Sequence, residues 1–349
     1  MPAGVAQESQ TMQANEAAAA VPIQEVRAHR DARDDRLFGW LLKGCALLVL
    51  ASLLGAAGAT LWGGRDAFMH FGFGFLTSSE WNPSDDVYGA LVPVFGTLIT
   101  SFIALFIAVP VSFGIALYLS EVAPPWLRTP VSSAIELLAG IPSIIYGMWG
   151  LFVFAPFFAD HVKPWLTSYL GNQPDDGKVS WVAEHIPFIG RMFGNDNPFG
   201  GSVLTAGVVL AIMIIPFISS VMREVFQTVP TRLKESAYAL GSSTWEVVWD
   251  IVLPYTRSAV IGGIFLGLGR ALGETMAVTF IIGNKMKLSP SLLDPGASIA
   301  STIANQFGEA AGLQKSALMA LAFLLFVVTF IVLMIARLML RRLAHKEGR

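Results

Sequence analysis

Six long runs of apolar residues constrain the fold of this chain more than any other feature. They cover residues 37–62, 88–119, 131–158, 200–222, 258–282 and 316–340. Charged residues make up 14% of the chain, whereas an ordinary soluble domain carries about 25%. A transmembrane helix needs about 20 consecutive apolar residues, because hydrocarbon penalises charge. A large buried core in a soluble protein would not supply several such runs. The sequence therefore predicts an all-α polytopic membrane protein with six transmembrane helices.

The runs divide the chain into a tail, a first helix and a larger core. Residues 1–36 are rich in Ala, Gln and charged residues and lack apolar periodicity, which predicts a disordered cytoplasmic tail. Residues 37–62 form the first transmembrane helix, which we expect to be retained because the tail is too long and polar for a cleaved signal. Residues 63–87 are an extracytoplasmic connection to the transmembrane core over residues 88–349.

Lysine and arginine counts in the connections set the orientation. One side of the predicted membrane carries 14 such residues and the other carries 7, among 23 in the chain. The richer side holds both termini and the loop over residues 223–257, so these are predicted to face the cytoplasm. The outer connection over residues 159–199 is either a plain loop or a docking surface for a soluble partner.

Composition also excludes several classes of function. The net charge of −2 provides no field that would attract nucleic acid. The single cysteine, Cys45, allows no disulfide within the chain, and the five histidines show no pair at metal-ligand spacing. No clustered His, Asp or Ser residues stand near a span end, so we expect neither catalytic residues nor a metal site.

The cytoplasmic loop over residues 223–257 is too long for a simple helix connection. Apolar residues recur at helical spacing after Pro230, and Gly241 is suited to end a short helix in a left-handed conformation. Ser242, Ser243 and Thr244 are candidate N-caps of a second helix, which Pro254 is expected to stop before the fifth span. The pair is either an amphipathic hairpin lying on lipid or a coupling element that fits a cleft on another protein.

The spacing within this loop resembles a known motif. Glu235-Ser236-Ala237 is followed by three residues, Gly241, nine residues and then Ile251-Val252-Leu253-Pro254. This pattern resembles the EAA motif of type I ABC importer permeases, with Ser236 replacing the usual alanine. The resemblance implies that fold, with a cytoplasmic coupling helix that seats on an ATPase subunit. The chain has no Gly-x-x-x-x-Gly-Lys-Ser/Thr sequence, so ATP and Mg are expected on the partner and no cofactor on this chain.

The fifth run contains two charges within the membrane. Arg270 lies twelve residues beyond Ser258, or about 18 Å along a helix and close to the midplane. Glu274 is four residues further on, so the two side chains are expected to share a helix face and pair. They either form a buried ion pair that sets helix register, or line a pathway in which the guanidinium binds phosphate or a related oxyanion. Pro142 and Ser143 are expected to interrupt the third span.

Within this class of permeases, three stretches of the sequence resemble the phosphate permeases in particular. The sequence over residues 269–278, GRALGETMAV, resembles their charged span, and residues 136–147 and 88–98 resemble their third and second spans. The resemblance places Arg270, Glu274 and Thr275 in the substrate pathway. It also implies a bacterial plasma (inner) membrane location, a PstA-like second permease, a PstB-like ATPase dimer and a PstS-like phosphate-binding protein. A permease for another oxyanion (the sulfate or molybdate class) and a secondary anion transporter remain alternatives.

Overall fold

A computed structural model describes residues 37–171, 180–194 and 200–346. The predicted tail over residues 1–36 lies outside these ranges. Residues up to Ala59 form one unit and residues from Thr60 onward form the second. The helices are α1 (Leu37–Gly63), α2 (Arg65–Phe71), α3 (Gly74–Thr77), α4 (Leu91–Leu117), α5 (Pro125–Ala139), α6 (Ser143–Trp149), α7 (Ala155–Phe157), α8 (Lys163–Leu170), α9 (Trp181–His185), α10 (Pro187–Met192), α11 (Val203–Gln227), α12 (Thr231–Ala239), α13 (Thr244–Val247), α14 (Leu253–Leu272), α15 (Met276–Ile281), α16 (Ile299–Gln306) and α17 (Gly312–Lys346).

Six helical segments are long and apolar enough to cross a membrane, which confirms the predicted number of spans. They are Leu37–Gly63, Leu91–Val122, Ser143–Leu170, Val203–Gln227, Thr244–Leu272 and Gly312–Arg341. Three of them include π-helical turns, at Tyr118–Val122, Gly150–Phe154, Phe158–Val162 and Val248–Val252. Helices suit such segments because every backbone polar group inside the membrane must be satisfied within the chain.

Two predicted spans start at the wrong residue, the third by about three helical turns and the fifth by about four. The third span begins at Ser143 rather than at residue 131, because Gly140 and Pro142 separate it from α5. This confirms the predicted interruption. The helical segment of the fifth span begins at Thr244, because α13, a π-helical turn and α14 follow one another without a break. Pro254 does not stop the helix, because the π-helical turn Val248–Val252 directly before it is the kind of local adjustment that lets a helix accommodate a proline.

Helix α11 is the centre of the larger unit. Its Leu210, Ile214 and Ile218 are fully buried, and α4, α6, α14 and α15 pack around it. Gly267 of α14 faces α11 so closely that a Cβ atom there would lie 2.6 Å from the side chain of Ile218. Close approach of these helices brings the end of α14 into the core.

A second apolar cluster lies between α2, α3, α16 and the start of α17. It includes Tyr88 of a β-hairpin that pairs Trp81–Asn82 with Val87–Tyr88. The Trp81 indole donates to Gln306 at 3.0 Å, and the backbone N–H of Ala67 donates to Ser316 at 3.1 Å. The predicted connection over residues 63–87 is therefore an ordered part of the fold rather than a simple loop.

Candidate functional site

Arg270 lies in the last turn of α14 and reaches an open cavity of about 520 Å³. Its guanidinium carbon is 5.2 Å from the centre of the Phe217 ring of α11, which places the cation over an aromatic face. Its Nε is buried and has no hydrogen-bond partner in the described chain. A buried donor without a partner costs free energy, so this guanidinium is prepared for an acceptor from outside the chain.

The predicted pairing of Arg270 with Glu274 is wrong. Helix α14 ends at Leu272, and Gly273 leads the chain out of the helix, so Arg270 and Glu274 do not follow one helix face. Glu274 instead accepts a hydrogen bond from the backbone N–H of Ala277 at 3.1 Å, at the start of α15. Thr275 is exposed just before that helix. The structure thus separates the arginine from the carboxylate that was expected to neutralise it.

Tyr146 of α6 bridges the interruption before the third span. Its hydroxyl donates to the Leu138 carbonyl at 3.0 Å, which joins α6 to the end of α5 across the break. This phenol is also near enough to Arg270 for an electrostatic interaction with its charge.

The loop over residues 223–257 has the predicted helix–turn–helix form. Helix α12 ends at Ala239, Gly241 takes a left-handed conformation with φ +89°, and α13 begins at Thr244. Ser243 caps α13 by accepting from the N–H of Glu246, whose carboxylate accepts from the N–H of Ser243 at 2.7 Å. This reciprocal pair satisfies two backbone donors and fixes the start of the helix.

The motif residues divide between the core and the surface. Ala237 and Val252 are buried in the core around α11, Ile251 and Leu253 are half-buried, and Pro254 is exposed. Glu235, Ser236 and Gly241 are also exposed. Large apolar side chains join this exposed set: Leu240 is 89% and Trp245 is 67% exposed. The hairpin is thus anchored on one side and presents an apolar surface on the other.

Two ion pairs that the sequence analysis missed hold this region. Lys234 of α12 lies 2.5 Å from Glu121 at the end of the second span, and both side chains are largely buried. Arg223 of α11 lies 2.7 Å from Glu136 of α5, whose side chain is 57% exposed. The only hint in the sequence is that each partner stands near a span end on the side predicted to be cytoplasmic. Pairing across 113 positions of sequence is a tertiary property that local patterns do not report.

Comparison with known proteins assigns the chain first to a protein family and then to a group within that family. Residues 108–345 match the model of a family described as "Binding-protein-dependent transport system inner membrane component". A protein of Xylella fastidiosa (strain 9a5c), named "Phosphate transport system permease protein PstC", is 61% identical over 91% of this chain and 94% of its own length. Proteins of the same name from Pasteurella multocida (strain Pm70) and Mesorhizobium japonicum (strain LMG 29417) are 55% and 48% identical, covering 90% and 93% of this chain and 93% and 98% of theirs. The chain belongs to the family of binding-protein-dependent inner membrane permeases and, within it, to the PstC group.

A solved structure shows the same fold. It is described as "Crystal structure of bacterial alginate ABC transporter in complex with alginate pentasaccharide-bound periplasmic protein", and it matches with a TM-score of 0.54 over 87% of this chain and 95% of that chain. The identity is 18%, so the likeness concerns the fold alone. The type I ABC importer permease fold is therefore confirmed. The chain is a multi-pass inner membrane protein and a transport subunit rather than an enzyme.

Proposed function

We propose that this chain is the permease subunit of an ATP-driven importer of inorganic phosphate. The observation that carries the proposal is Arg270, whose buried Nε has no partner and whose cavity is otherwise largely apolar. A guanidinium presents a planar fork of donors that matches phosphate oxygens in pairs. The relatives named as phosphate permeases support phosphate over sulfate or molybdate as the anion.

The pathway in this proposal is shared between two permeases. Arg270 binds the anion, and Glu274 and the exposed Thr275 line the pathway beside it, with Glu274 also ordering the start of α15. A dianion needs more than one cationic group, so we expect a PstA-like second permease to complete the site from across the interface. Movement of the two subunits against each other would then open the site to either side of the membrane.

Energy enters through the loop between α11 and α14. We propose that Leu240, Trp245 and the exposed motif residues seat on a PstB-like ATPase dimer, which holds ATP and Mg, in the cytoplasm. The anchored side of the hairpin supports this role, because Lys234, Ala237 and Val252 tie it to the helices that carry the site. A hairpin that only lay on lipid would not require a buried ion pair. Both termini share the cytoplasmic side, and a PstS-like protein delivers phosphate from outside.

Reconstitution of the whole transporter tests the proposal. We expect labelled phosphate to enter vesicles only when the binding protein and ATP are both present, and the second permease and ATPase to purify with this chain. Unlabelled sulfate and molybdate should not compete at tenfold excess. Uptake without nucleotide would favour a secondary transporter, and competition by sulfate or molybdate would favour another oxyanion; either result would contradict the proposal.

A further inference from the structure

The cavity that Arg270 reaches contains a second arginine. Arg337 of α17 lines it together with Leu333 and Leu340 of the same helix. Leu333 lies at the level of Gly269, since a Cβ atom on that glycine would be 3.7 Å from the Leu333 side chain. Arg337 therefore stands one helical turn, about 6 Å, beyond the level of Arg270. The step is in the direction of the chain's C-terminal end.

Among the described residues, no ion pair involves Arg270 or Arg337. The basic partners of the ion pairs found there include Arg65, Arg223 and Lys234. No acidic side chain is found among the described residues that line the cavity. Arg270 is half-buried and Arg337 is exposed. Both guanidinium groups can therefore be reached by an anion that enters the cavity, and the anion would reduce the repulsion between the two like charges.

The size of the cavity fits a transported ion with part of its hydration shell. Its volume of about 520 Å³ is within the roughly 300–1,000 Å³ typical of small-molecule sites. From Leu333 to Leu340 the lining of α17 extends about 10 Å along the helix. The cavity thus continues past Arg270 in one direction, toward the end of α17 that carries Arg341.

We infer that the cavity is a two-arginine site for a phosphate group, in which Arg337 receives the anion after Arg270 and precedes its release. This inference rests on the proposed function and adds a second residue to the pathway within this same chain. Arg337 acts by direct contact with the anion. Its charge also lowers the effective affinity of the anion for Arg270, because it offers a competing partner. A site with one cation would either bind a dianion weakly or release it slowly, whereas two successive cations allow transfer.

Arginines near span ends commonly lie at the membrane surface, whatever the function of the protein. The test therefore needs a matched control for this general effect, which Arg341 provides. It lies four residues after Arg337 on the same helix and is exposed, as Arg337 is, but it does not line the cavity. Both residues carry the same charge near the same membrane surface. A difference between Arg337→Gln and Arg341→Gln therefore reports the cavity and not the general effect of a basic residue at a span end.

The test uses the complete transporter in vesicles and measures phosphate imported per ATP hydrolysed. We expect Arg337→Gln to lower this ratio roughly ten- to hundredfold, the range for loss of one hydrogen bond to a charged group. Arg337→Lys should restore much of it, because the charge is kept and only the fork is lost. Arg341→Gln should match the wild type. Complex yield and ATPase rate without substrate, measured for each variant, exclude a failure of assembly.

Lipid phosphate has the same chemistry as free phosphate, so each variant is compared in neutral phosphatidylcholine vesicles and in vesicles that contain phosphatidylglycerol. A loss of the same size in both supports a site for the transported ion. A loss that occurs only with the anionic lipid would assign Arg337 to a lipid headgroup and overturn the inference. So would equal behaviour of Arg337→Gln and Arg341→Gln while Arg270→Gln abolishes uptake. Failure of the wild-type complex to import phosphate would instead contradict the proposed function.

Discussion

Two sets of basic side chains in this protein differ in one respect: whether the chain supplies their counter-charge. Lys234 has Glu121 at 2.5 Å and Arg223 has Glu136 at 2.7 Å, and these pairs join α12 and α11 to neighbouring elements. Arg270 and Arg337 line a cavity and have no carboxylate among the described residues. A cation that is paired within the chain fixes the relative positions of helices. A cation left unpaired in a cavity is available to a ligand.

The difference between paired and unpaired cations predicts that their substitutions have opposite effects: loss of a paired cation should lower stability, and loss of an unpaired one should lower transport. Replacing a paired buried cation leaves its carboxylate without compensation, which destabilises the folded protein. Replacing an unpaired cation removes a repulsive or desolvated charge, so the fold should tolerate it while the ligand loses its contact. Measuring both properties for each variant therefore separates the two sets, and the variants below are ordered by the size of the expected effect.

The largest effect is expected for Lys234→Met. Its partner Glu121 is 6% exposed and would remain buried without a counter-charge. We expect the free energy of unfolding of the purified protein to fall by about 3–5 kcal/mol. The double variant Lys234→Met with Glu121→Leu should recover most of this loss, because neither charge then remains. Unfolding by heat or denaturant in detergent measures the difference.

Arg223→Met is the matched control for that experiment. Glu136, its partner, is 57% exposed and can be solvated by water when the pair is lost. We expect a loss below about 1 kcal/mol. If Lys234→Met and Arg223→Met lowered the free energy of unfolding equally, burial of the Lys234–Glu121 ion pair would not determine its contribution to stability.

Arg270→Gln should show the opposite pattern. We expect phosphate uptake to fall about 100-fold or more, as two hydrogen bonds to a charged donor are lost, while the unfolding midpoint stays close to that of the wild type. Arg270→Lys should be intermediate, since it keeps the charge without the planar fork. Uptake by vesicles and thermal unfolding of the same preparations measure the two properties. Normal phosphate uptake by Arg270→Gln would contradict the proposed role of Arg270 in the substrate pathway.

The features that sequence predicted correctly are local ones. Apolar runs gave the six spans because the membrane imposes length and composition on each helix separately. The loop motif gave α12, the turn at Gly241 and α13, because caps and turns depend on neighbouring residues. The predicted start of the fifth span is wrong because Pro254 suggests a helix stop, whereas the π-helical turn before it lets the helix continue.

The features that could not be predicted from the sequence depend on tertiary structure. Helical spacing predicted that Arg270 and Glu274 pair, but α14 ends at Leu272 and Glu274 caps α15 instead. Gly273 was the one local signal of that end. Arg337 was counted only among the charges that set orientation, because nothing in its neighbourhood of sequence relates it to Arg270. Only the packing of α17 beside α14 places both arginines in one cavity.

Apart from the Arg223→Met control, the smallest of these effects is expected at Gly241, where a modest loss of stability accompanies a loss of coupling. Its φ of +89° costs a β-branched residue about 1–2 kcal/mol, whereas asparagine adopts positive φ more readily. A Cβ atom there would meet nothing within 4 Å, so within this chain the backbone conformation rather than crowding decides the outcome. Gly241→Val should therefore change the angle between α12 and α13 and lower the phosphate imported per ATP, while Gly241→Asn, of similar volume, keeps it near the wild-type value. Equal values of this ratio for the two variants, measured in the same vesicles, would mean that the left-handed turn does not transmit the motion of the ATPase to Arg270.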